Sequence, residues 1–381
     1  MKFALVGPCH PLRGGIAHYN ARLFRALEDA GHQVRLYGMI RQYPGVFFPG
    51  TTQDDHSASA IRAPADQVLD SINPLSWRRT AGRISAFKPD AVVFQWWHPF
   101  FGLAYGAIAW MVRAMGDARI LYLCHNVRPH EATVIDDLLL RVAYSPVQGF
   151  LVHAAEEQRR LEALMGRPPL ALEVAPHPVY DVFERDPGLD RAGARARLGL
   201  TRPRQLLFFG YVRAYKGLDV LIEAMPAILA RVDCELTIAG ECYEDPAIYT
   251  DRIEALGIGD RVRFLNRYIA NEEVPVFFEA ADLCVLPYKQ ATQSGIVQVA
   301  YGLETPVVVT RVGGIPEVVD EGRTGLLVEP DSPEAVAEAV ARYFEAGLEE
   351  ALIAGIREKR LEMSWSRVVE ALERMARAPQ P

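Results

Sequence analysis

The sequence predicts an α/β protein made of two doubly wound, Rossmann-like domains that face an interdomain cleft. Short apolar segments alternate with amphipathic helical segments in two series, one before residue 154 and one after residue 205, and strands separated by helices are typical of a parallel sheet. Between the series, His177-Pro178 and Pro187-Gly188 supply the turn chemistry of a linker. A length of 381 residues gives room for two such domains with large cores.

A strand at 3–6 opens the first series. A glycine-containing loop leads from it into a helix, in which four apolar residues recur at helical spacing: Ile16, Tyr19, Leu23 and Leu27. Gly31 lies where a helix C-cap belongs. Further strands are predicted at 34–37, 91–94, 120–124 and 149–153. The polar stretch 41–74 is predicted to be irregular.

A strand at 206–211 opens the second series, followed by a helix over 218–229 with one apolar face. Later strands are predicted at 235–239, 262–265, 283–286, 307–310 and 326–328. Asp331-Ser332-Pro333 indicates the start of the C-terminal helices. The predicted segments are an N-terminal domain over 1–178, a linker over 179–204, a C-terminal domain over 205–355, and helices over 356–381 that return to the N-terminal domain.

Composition excludes several classes of protein. With 41 basic and 48 acidic residues the formal net charge is −7, which gives no reason to expect a nucleic-acid partner. The five cysteines are odd in number, widely spaced and mostly inside apolar runs, a pattern that indicates buried thiols in a reducing compartment. The apolar run at the N-terminus stops at Gly7-Pro8, too early for a signal peptide, so we expect a cytoplasmic protein.

One segment, 91–112, is nearly free of charge and about as long as a membrane span. Four residues interrupt it: Gln95, His98, Pro99 and Gly102. It therefore favours a strand followed by a separate helix over a transmembrane helix.

The loop after the strand at 206–211 carries the strongest chemical signal. Gly210 and Gly217 enclose Arg213 and Lys216, which lie three positions apart just before a helix. A guanidinium, an ammonium and the amides of a helix N-terminus together can receive a diphosphate. Two cations on a surface loop are the alternative. The stretch 283–319 twice places a strand before a loop that opens a helix, so it predicts a second part of an anion or nucleotide site.

Five segments of the second series, FFGYVRAYKGLDVLIEAM, LTIAGE, RVRFLNRYI, AADLCVLPY and TPVVVTRVGGIPEVV, closely resemble the C-terminal donor domain of family-4, GT-B fold, retaining glycosyltransferases. GGIAHYNARLFRAL and LCHNVRPHE resemble the N-terminal acceptor half, so the likeness covers nearly the whole chain. It implies a nucleoside-diphosphate sugar in the cleft, its diphosphate held by Arg213 and Lys216. It also implies that these cations replace a metal ion, so we expect no metal or other cofactor.

The resemblance assigns further residues. Gly14 and Gly15 match the family's glycine loop, and Tyr268 and Ile269, after Arg267, match the segment that contacts the base. His125 matches a position near the reacting carbons, although a structural cap is the alternative. The candidates for the acceptor site are Asn126, His98, His130 and Glu131, and for the last three a packing or loop-structuring role is equally open. His153 and His177 are interpreted as structural.

The sequence departs from the family at two positions. Members commonly carry two glutamates eight positions apart near the donor sugar and ribose, and here the aligned residues are Ala291 and Val299. The residues that remain for this task form the loop Thr292, Gln293, Ser294, Gly295 and Ile296, which resembles that of a variant branch of the family. Glu241 is a further candidate for sugar contact, with an ordinary loop role as its alternative.

We therefore expect a metal-independent, retaining hexosyltransferase that uses a nucleotide sugar and a glycan or lipid-linked acceptor in polysaccharide or glycoconjugate biosynthesis. The apolar region 96–110 favours peripheral contact with the inner face of the membrane. Two alternatives remain: a sugar-nucleotide epimerase of the same layout, and a degenerate homologue that binds without turnover, for which the absent glutamates argue.

Overall fold

The computed structural model describes residues 1–45, 52–128, 134–166, 169, 171–183 and 185–378. The chain forms two compact units. The first comprises Met1–His56, Ala60–His177 and Ser364–Pro381, and the second comprises Ser57–Ser59 and Pro178–Met363. The sequence placed the change of domain at a linker over 179–204 and the C-terminal return at 356. In the structure 179–204 belongs to the second unit, and the return begins at Ser364.

The first unit is built on a parallel sheet of seven strands in the order β3-β2-β1-β4-β5-β6-β7. The strands are β1 (Lys2–Val6), β2 (Gln33–Arg41), β3 (Ala65–Asp70), β4 (Ala91–Trp96), β5 (Arg119–Cys124), β6 (Gly149–Val152) and β7 (Leu172–Val174). Its helices within the first 177 residues are α1 (Gly15–Asp29), α2 (Pro74–Phe87), α3 (Gly102–Met115), α4 (Val134–Tyr144) and α5 (Ala155–Met165). The strand order reverses between β1 and β4, which is where parallel sheets bind ligands.

The second unit is built on a parallel sheet of six strands in the order β10-β9-β8-β11-β12-β13. The strands are β8 (Arg204–Phe209), β9 (Cys234–Ala239), β10 (Val262–Leu265), β11 (Leu283–Leu286), β12 (Val307–Thr310) and β13 (Gly325–Val328). The helices are α6 (Arg191–Leu198), α7 (Leu218–Leu229), α8 (Ala247–Ala255), α9 (Val274–Ala280), α10 (Gly295–Gly302), α11 (Ile315–Val318), α12 (Pro333–Glu345) and α13 (Glu349–Glu362). Here the order reverses between β8 and β11.

The final helix, α14 (Trp365–Arg377), packs on the first unit. Trp365 lies against the ring of Tyr19 in α1, with 4.8 Å between ring centroids. Glu373 bonds His32 at 2.7 Å, and Arg374 pairs with Glu173 in β7 at 3.0 Å. An apolar face and these polar contacts therefore fix the chain terminus to this sheet.

Each unit has its own core because its central strands are buried on both faces. All six residues of β4, β5 and β9 are buried, as expected for strands covered by helices on both sides. In the first core Trp96 stacks on Tyr122, with ring centroids 5.5 Å apart. The second core joins β8, β9 and β11 to α7 and α12.

The prediction that 41–74 is irregular was wrong in part. This stretch contains β3, which pairs with β2 in parallel at the edge of the sheet. Its sequence ADQVLD lacks an apolar alternation because only Val68 and Leu69 are buried. The nearly uncharged segment 91–112 forms β4, a 3₁₀ turn and part of the 14-residue α3. Among the described residues no helix combines the length and apolarity needed to cross a membrane.

Candidate active site

The loop that follows β8 is held by close contacts between backbones. A Cβ on Gly217, whose φ is +69°, would lie 1.9 Å from the carbonyl oxygen of Pro287, and a Cβ on Gly240 would lie 2.0 Å from that of Gly210. Only glycine permits such approaches. The loop is thereby fixed to the ends of β9 and β11, on both sides of the point where the strand order reverses.

Lys216 is a buried cation in this loop. Its side chain points toward Gly210, since a Cβ there would lie 3.1 Å from its Nζ. The residue is 8% exposed, and no described residue forms an ion pair or hydrogen bond with its ammonium group. Burial, together with the positive charge of Arg213, lowers the pKa of Lys216 to about 8. A buried charge without a partner is costly, so this position favours an anionic ligand.

Arg213 is held by an aromatic ring. Its guanidinium lies over Tyr243 at 4.7 Å from the ring centroid, and Tyr243 stacks on Tyr211 with centroids 4.8 Å apart. Within the described ranges no carboxylate pairs with Arg213. The neighbouring carboxylate of Glu244 instead accepts from the amide of Ala214 at 2.5 Å. The loop therefore carries two cations whose charge is not neutralised by the described side chains.

The loop 291–296 opens α10 beside this cation pair. Ser294 caps the helix, because its Oγ accepts from the amide of Val297 at 3.1 Å, and it bonds the hydroxyl of Tyr288 at 2.8 Å. Ile296 reaches the loop that follows β8, since its Cδ1 would lie 3.0 Å from a Cβ on Gly210. Gly295 is exposed at the first helical position. Gln293 has a buried Nε2 for which the described residues offer no acceptor.

Backbone contacts also explain the pair Gly313-Gly314. A Cβ on Gly313, whose φ is +51°, would lie 1.8 Å from the carbonyl oxygen of Ala291. The amide of Gly314 donates to the carbonyl of Thr292 at 3.0 Å. Ala291 and Thr292 are buried, as is Val299 on α10. The loop is thus positioned by its backbone, and neither position of the family's glutamate pair offers a polar side chain.

The segment predicted to contact the nucleotide base, 267–269, lies next to the loop that follows β9. Asn266 accepts from the amide of Cys242 at 2.8 Å, next to the buried Glu241. Arg267 forms a two-pronged ion pair with Glu273 at 2.6 and 2.8 Å and donates to the carbonyl of Tyr268 at 3.2 Å. Its guanidinium therefore shapes the turn that presents Tyr268, which is half-buried, and Ile269, which is buried.

The first unit brings a separate set of residues together after β1, β4 and β5. Gly14, with a φ of +116°, is the N-cap of α1, and no described atom would come within 4 Å of a Cβ there. Gly15 is exposed at the first position of the helix. The glycine loop thus leaves room for a ligand to approach the start of α1.

His125 follows β5, and its Nε2 bonds the side-chain oxygen of Gln95 at 2.7 Å. Around it lie the ring of Tyr19, with centroids 4.7 Å apart, and the rings of His153 and His177 at 5.9 and 6.5 Å. Burial and the two neighbouring histidines hold the pKa of His125 well below its usual range. Burial likewise lowers the pKa of His153 to about 3. The rings of His125 and His153 are therefore neutral near pH 7, and no described cluster is arranged as a metal site.

The acceptor candidates have different surroundings. His98 caps a 3₁₀ turn, since its Nδ1 accepts from the amide of Phe100 at 3.2 Å. Burial lowers the pKa of His98 below its usual value, so the ring is neutral near pH 7. Asn126 has a buried Oδ1 that receives no hydrogen bond from the described residues. His130 and Glu131 lie outside the described residues.

The geometry shows contacts that the sequence did not reveal. In the second unit Gly210, Lys216 and Ile296 converge. In the first unit, Gln95 and Tyr19 contact His125. Tyr19 was identified only as a core residue of α1, and Gln95 only as an interruption of an apolar segment. Neither position carries a local signal for its contact with the histidine.

Comparison with known families covers both units. Residues 13–181 match the model described as Glycosyltransferase Family 4, and residues 203–346 match the model described as Glycosyl transferases group 1. The chain belongs to glycosyltransferase family 4. The family prediction made from the motifs is therefore confirmed.

Curated relatives of this glycosyltransferase include D-inositol 3-phosphate glycosyltransferases. That of Corynebacterium glutamicum is 29% identical over 70% of this chain and 68% of its own length. That of Catenulispora acidiphila is 34% identical over 58% of this chain and 55% of its own length. The chain thus spans between about half and two thirds of these relatives.

Solved structures confirm the GT-B fold. Anabaena HepE, solved in complex with UDP-glucose, has a TM-score of 0.74 at 16% identity, covering 99% of this chain and 100% of that one. Sucrose-phosphate synthase from Thermosynechococcus elongatus has a TM-score of 0.70 at 18% identity, covering 99% and 98%.

Proposed function

We propose that the protein transfers a hexosyl unit from a nucleoside-diphosphate sugar to a glycan or lipid-linked acceptor, with retention of configuration and without a metal ion. The observation that carries this proposal is the cation pair Arg213 and Lys216, which no described carboxylate neutralises. A diphosphate supplies the missing charge. Family membership and the UDP-glucose complex of the HepE neighbour support a nucleotide sugar as its source.

The same pair would act in the chemistry. As the bond between sugar and diphosphate breaks, negative charge grows on the leaving diphosphate. Fixed cations stabilise this state more than the ground state, and the effect is larger for a buried cation such as Lys216 than for one surrounded by water. Arg213 and Lys216 would thus do the electrostatic work that a metal ion does in other transferases.

Neutral groups would bind the sugar. Gln293 has a buried amide donor without a described acceptor, and the exposed Gly295 begins α10, where helix amides are available to a ligand. Because Ala291 and Val299 replace the carboxylates, we propose that hydroxyl groups of the sugar are read by these amides. We also propose that no covalent bond forms between sugar and enzyme.

An apolar surface on the first unit supports a lipid-linked acceptor. Leu103 and Trp110 on α3 and Ile135 and Leu138 on α4 are each at least half exposed. The two helices are in close contact, since a Cβ on Gly102 would lie 2.7 Å from the carbonyl oxygen of Leu139. We name these four residues the α3–α4 face.

Cations border the α3–α4 face. The guanidinium of Arg113 lies 5.3 Å from the ring centroid of Trp110, and Arg141 is in the last turn of α4. Tryptophan beside arginine suits the interface of an anionic lipid bilayer. We therefore propose that the first unit rests on the inner face of the membrane.

Binding and turnover test the proposal together. In titration calorimetry, one of UDP, GDP and ADP should show saturable binding. The variants Arg213→Ala and Lys216→Ala should each weaken this binding at least tenfold. Arg231→Ala is the control, because this exposed arginine of the same unit pairs with Glu338 and Glu345. Near wild-type binding and transfer by both variants would show that the diphosphate assignment is wrong.

Product analysis separates the alternatives. A transferase releases nucleotide only when acceptor is present and forms a product with the anomeric configuration of the donor. Epimerised sugar without acceptor would show an epimerase, and binding without turnover would show a degenerate homologue.

A flotation assay with anionic vesicles tests the membrane contact. Flotation of the protein should be lost in the double variant Trp110→Glu and Leu138→Glu. Flotation equal to wild type would contradict the assigned face.

A further inference from the structure

In the first unit, a chain of hydrogen bonds connects a backbone carbonyl to His125 through two side-chain amides. The Nδ2 of Asn20 donates to the carbonyl of Pro8 at 3.1 Å, and the Nε2 of Gln95 donates to the Oδ1 of Asn20 at 3.2 Å. The Oε1 of Gln95 then faces the Nε2 of His125 at 2.7 Å. Asn20 and Gln95 are completely buried.

The direction of every hydrogen bond in this chain is set by Pro8. A carbonyl oxygen can only accept, so Asn20 must present its NH₂ group to Pro8 and its oxygen to Gln95. Gln95 must in turn present its NH₂ group to Asn20 and its oxygen to His125. Because that oxygen can only accept, the Nε2 of His125 must carry the proton.

The neutral ring of His125 therefore has a defined acceptor. Its pKa lies well below the usual range through burial and through the charges that His153 and His177 would add. These two rings and that of Tyr19 are the titratable groups in ring contact with it. A neutral imidazole with a proton on Nε2 has its lone pair on Nδ1.

We propose that Asn20 and Gln95 are positioning residues, which hold His125 as the Nε2–H tautomer so that Nδ1 accepts a hydrogen bond from a hydroxyl group of the bound sugar or acceptor. The hydroxyl ligand rests on the proposed function, whereas the tautomer rests on the hydrogen-bond chain alone. Gly7 supports the same arrangement, since a Cβ there would lie 2.8 Å from Cγ of Gln95. Only glycine at this position leaves room for the amide.

The tautomer can be measured without turnover. Long-range ¹H–¹⁵N correlation spectra of the protein labelled with ¹⁵N-histidine distinguish the Nδ1–H from the Nε2–H tautomer. The signal of His125 is assigned as the one that is lost in His125→Gln. We expect the Nε2–H form in the wild type. In Asn20→Leu, which keeps the side-chain volume, the Gln95 amide is no longer oriented and the signal should show both tautomers. A wild-type ring protonated on Nδ1, or an Asn20→Leu ring unchanged from wild type, would overturn the proposal.

Kinetics then test the role in the reaction. Gln95→Leu should lower kcat by about 5- to 10-fold, the effect of one hydrogen bond, and leave nucleotide binding on the second unit unchanged. Gln95→Glu keeps the acceptor but adds a negative charge that favours the imidazolium, so the acidic limb of the kcat profile should move to higher pH. A role in folding alone would lower the melting temperature without moving this limb, and that result would refute positioning. If the tautomer is as expected but no sugar is transferred, the proposed function fails and the tautomer assignment stands.

Discussion

Nucleotide binding should depend on the protonation of Lys216. With a pKa of about 8 in the ligand-free protein, the charged fraction of Lys216 falls from about nine tenths at pH 7 to about one tenth at pH 9. A phosphate group is at least about nine tenths ionised over this range, since its second pKa is about 6. If only the ammonium form binds the diphosphate, the Kd should rise about tenfold between pH 7 and pH 9.

Titration calorimetry at half-unit pH intervals measures this effect. Lys216→Met should bind weakly at every pH, with a flat profile. Arg213→Ala should also bind weakly but retain the profile at higher pH, because removal of the neighbouring positive charge raises the pKa of Lys216. A wild-type Kd that is constant from pH 7 to pH 9, or a Lys216→Met profile parallel to that of the wild type, would refute the reasoning.

The same shift predicts an effect on stability with a defined sign. The pKa of Lys216 in the folded protein lies below its usual value of 10.5, so between pH 8 and pH 10.5 the unfolded chain binds the extra proton. The unfavourable contribution of Lys216 is thus complete below pH 8 and disappears as the pH rises through this window, up to about 3 kcal/mol in all. Ligand-free Lys216→Met should therefore be more stable than wild type at pH 7, and this difference should shrink by pH 10. Equal stability of the two proteins at pH 7 would contradict the cost assigned to the buried charge.

Three further predictions concern the second unit. Tyr243→Ala should weaken nucleotide binding by roughly two- to fivefold through loss of the cation–π contact with Arg213, whereas Tyr243→Phe should bind like wild type in the same titration. Ser294→Ala should lower the free energy of unfolding by about 1 kcal/mol, because α10 loses its N-cap. Gly217→Ala should be more destabilising than Gly257→Ala in thermal melts. Both glycines have positive φ, but only the first would place a Cβ against a backbone oxygen.

The sequence predicted the features that depend on short stretches of neighbouring residues. Central strands of both sheets are runs of buried apolar residues, so β4, β5 and β11 were located within one or two residues. The loop around Arg213 and Lys216 was identified because glycines, cations and a helix start lie within nine positions. The two edge strands of the first sheet gave no such signal: β3 is mostly polar and β7 has only three residues.

Contacts between distant residues could not be predicted from one sequence. Gln95 lies 75 positions from Asn20 and 30 from His125. Tyr243 lies in the loop after β9, and only the pairing of β8 with β9 brings that loop to Arg213. The residues that orient the candidate catalytic groups are therefore set by the order of strands in the sheet, which hydrophobic periodicity does not specify.

The absence of glutamates at positions 291 and 299 is consistent with a site that carries positive charge uncompensated by the described side chains. Lys216 is buried without a described counterion, and Val299 is buried in α10, where a carboxylate would lose its hydration. Val299→Glu should therefore fold poorly and should not increase transfer. Ala291 contributes its backbone, since its carbonyl oxygen lies against Gly313. Under the proposed function, the positive charge of the loop would bind the diphosphate, and backbone amides and Gln293 would distinguish the neutral hydroxyl groups of the sugar.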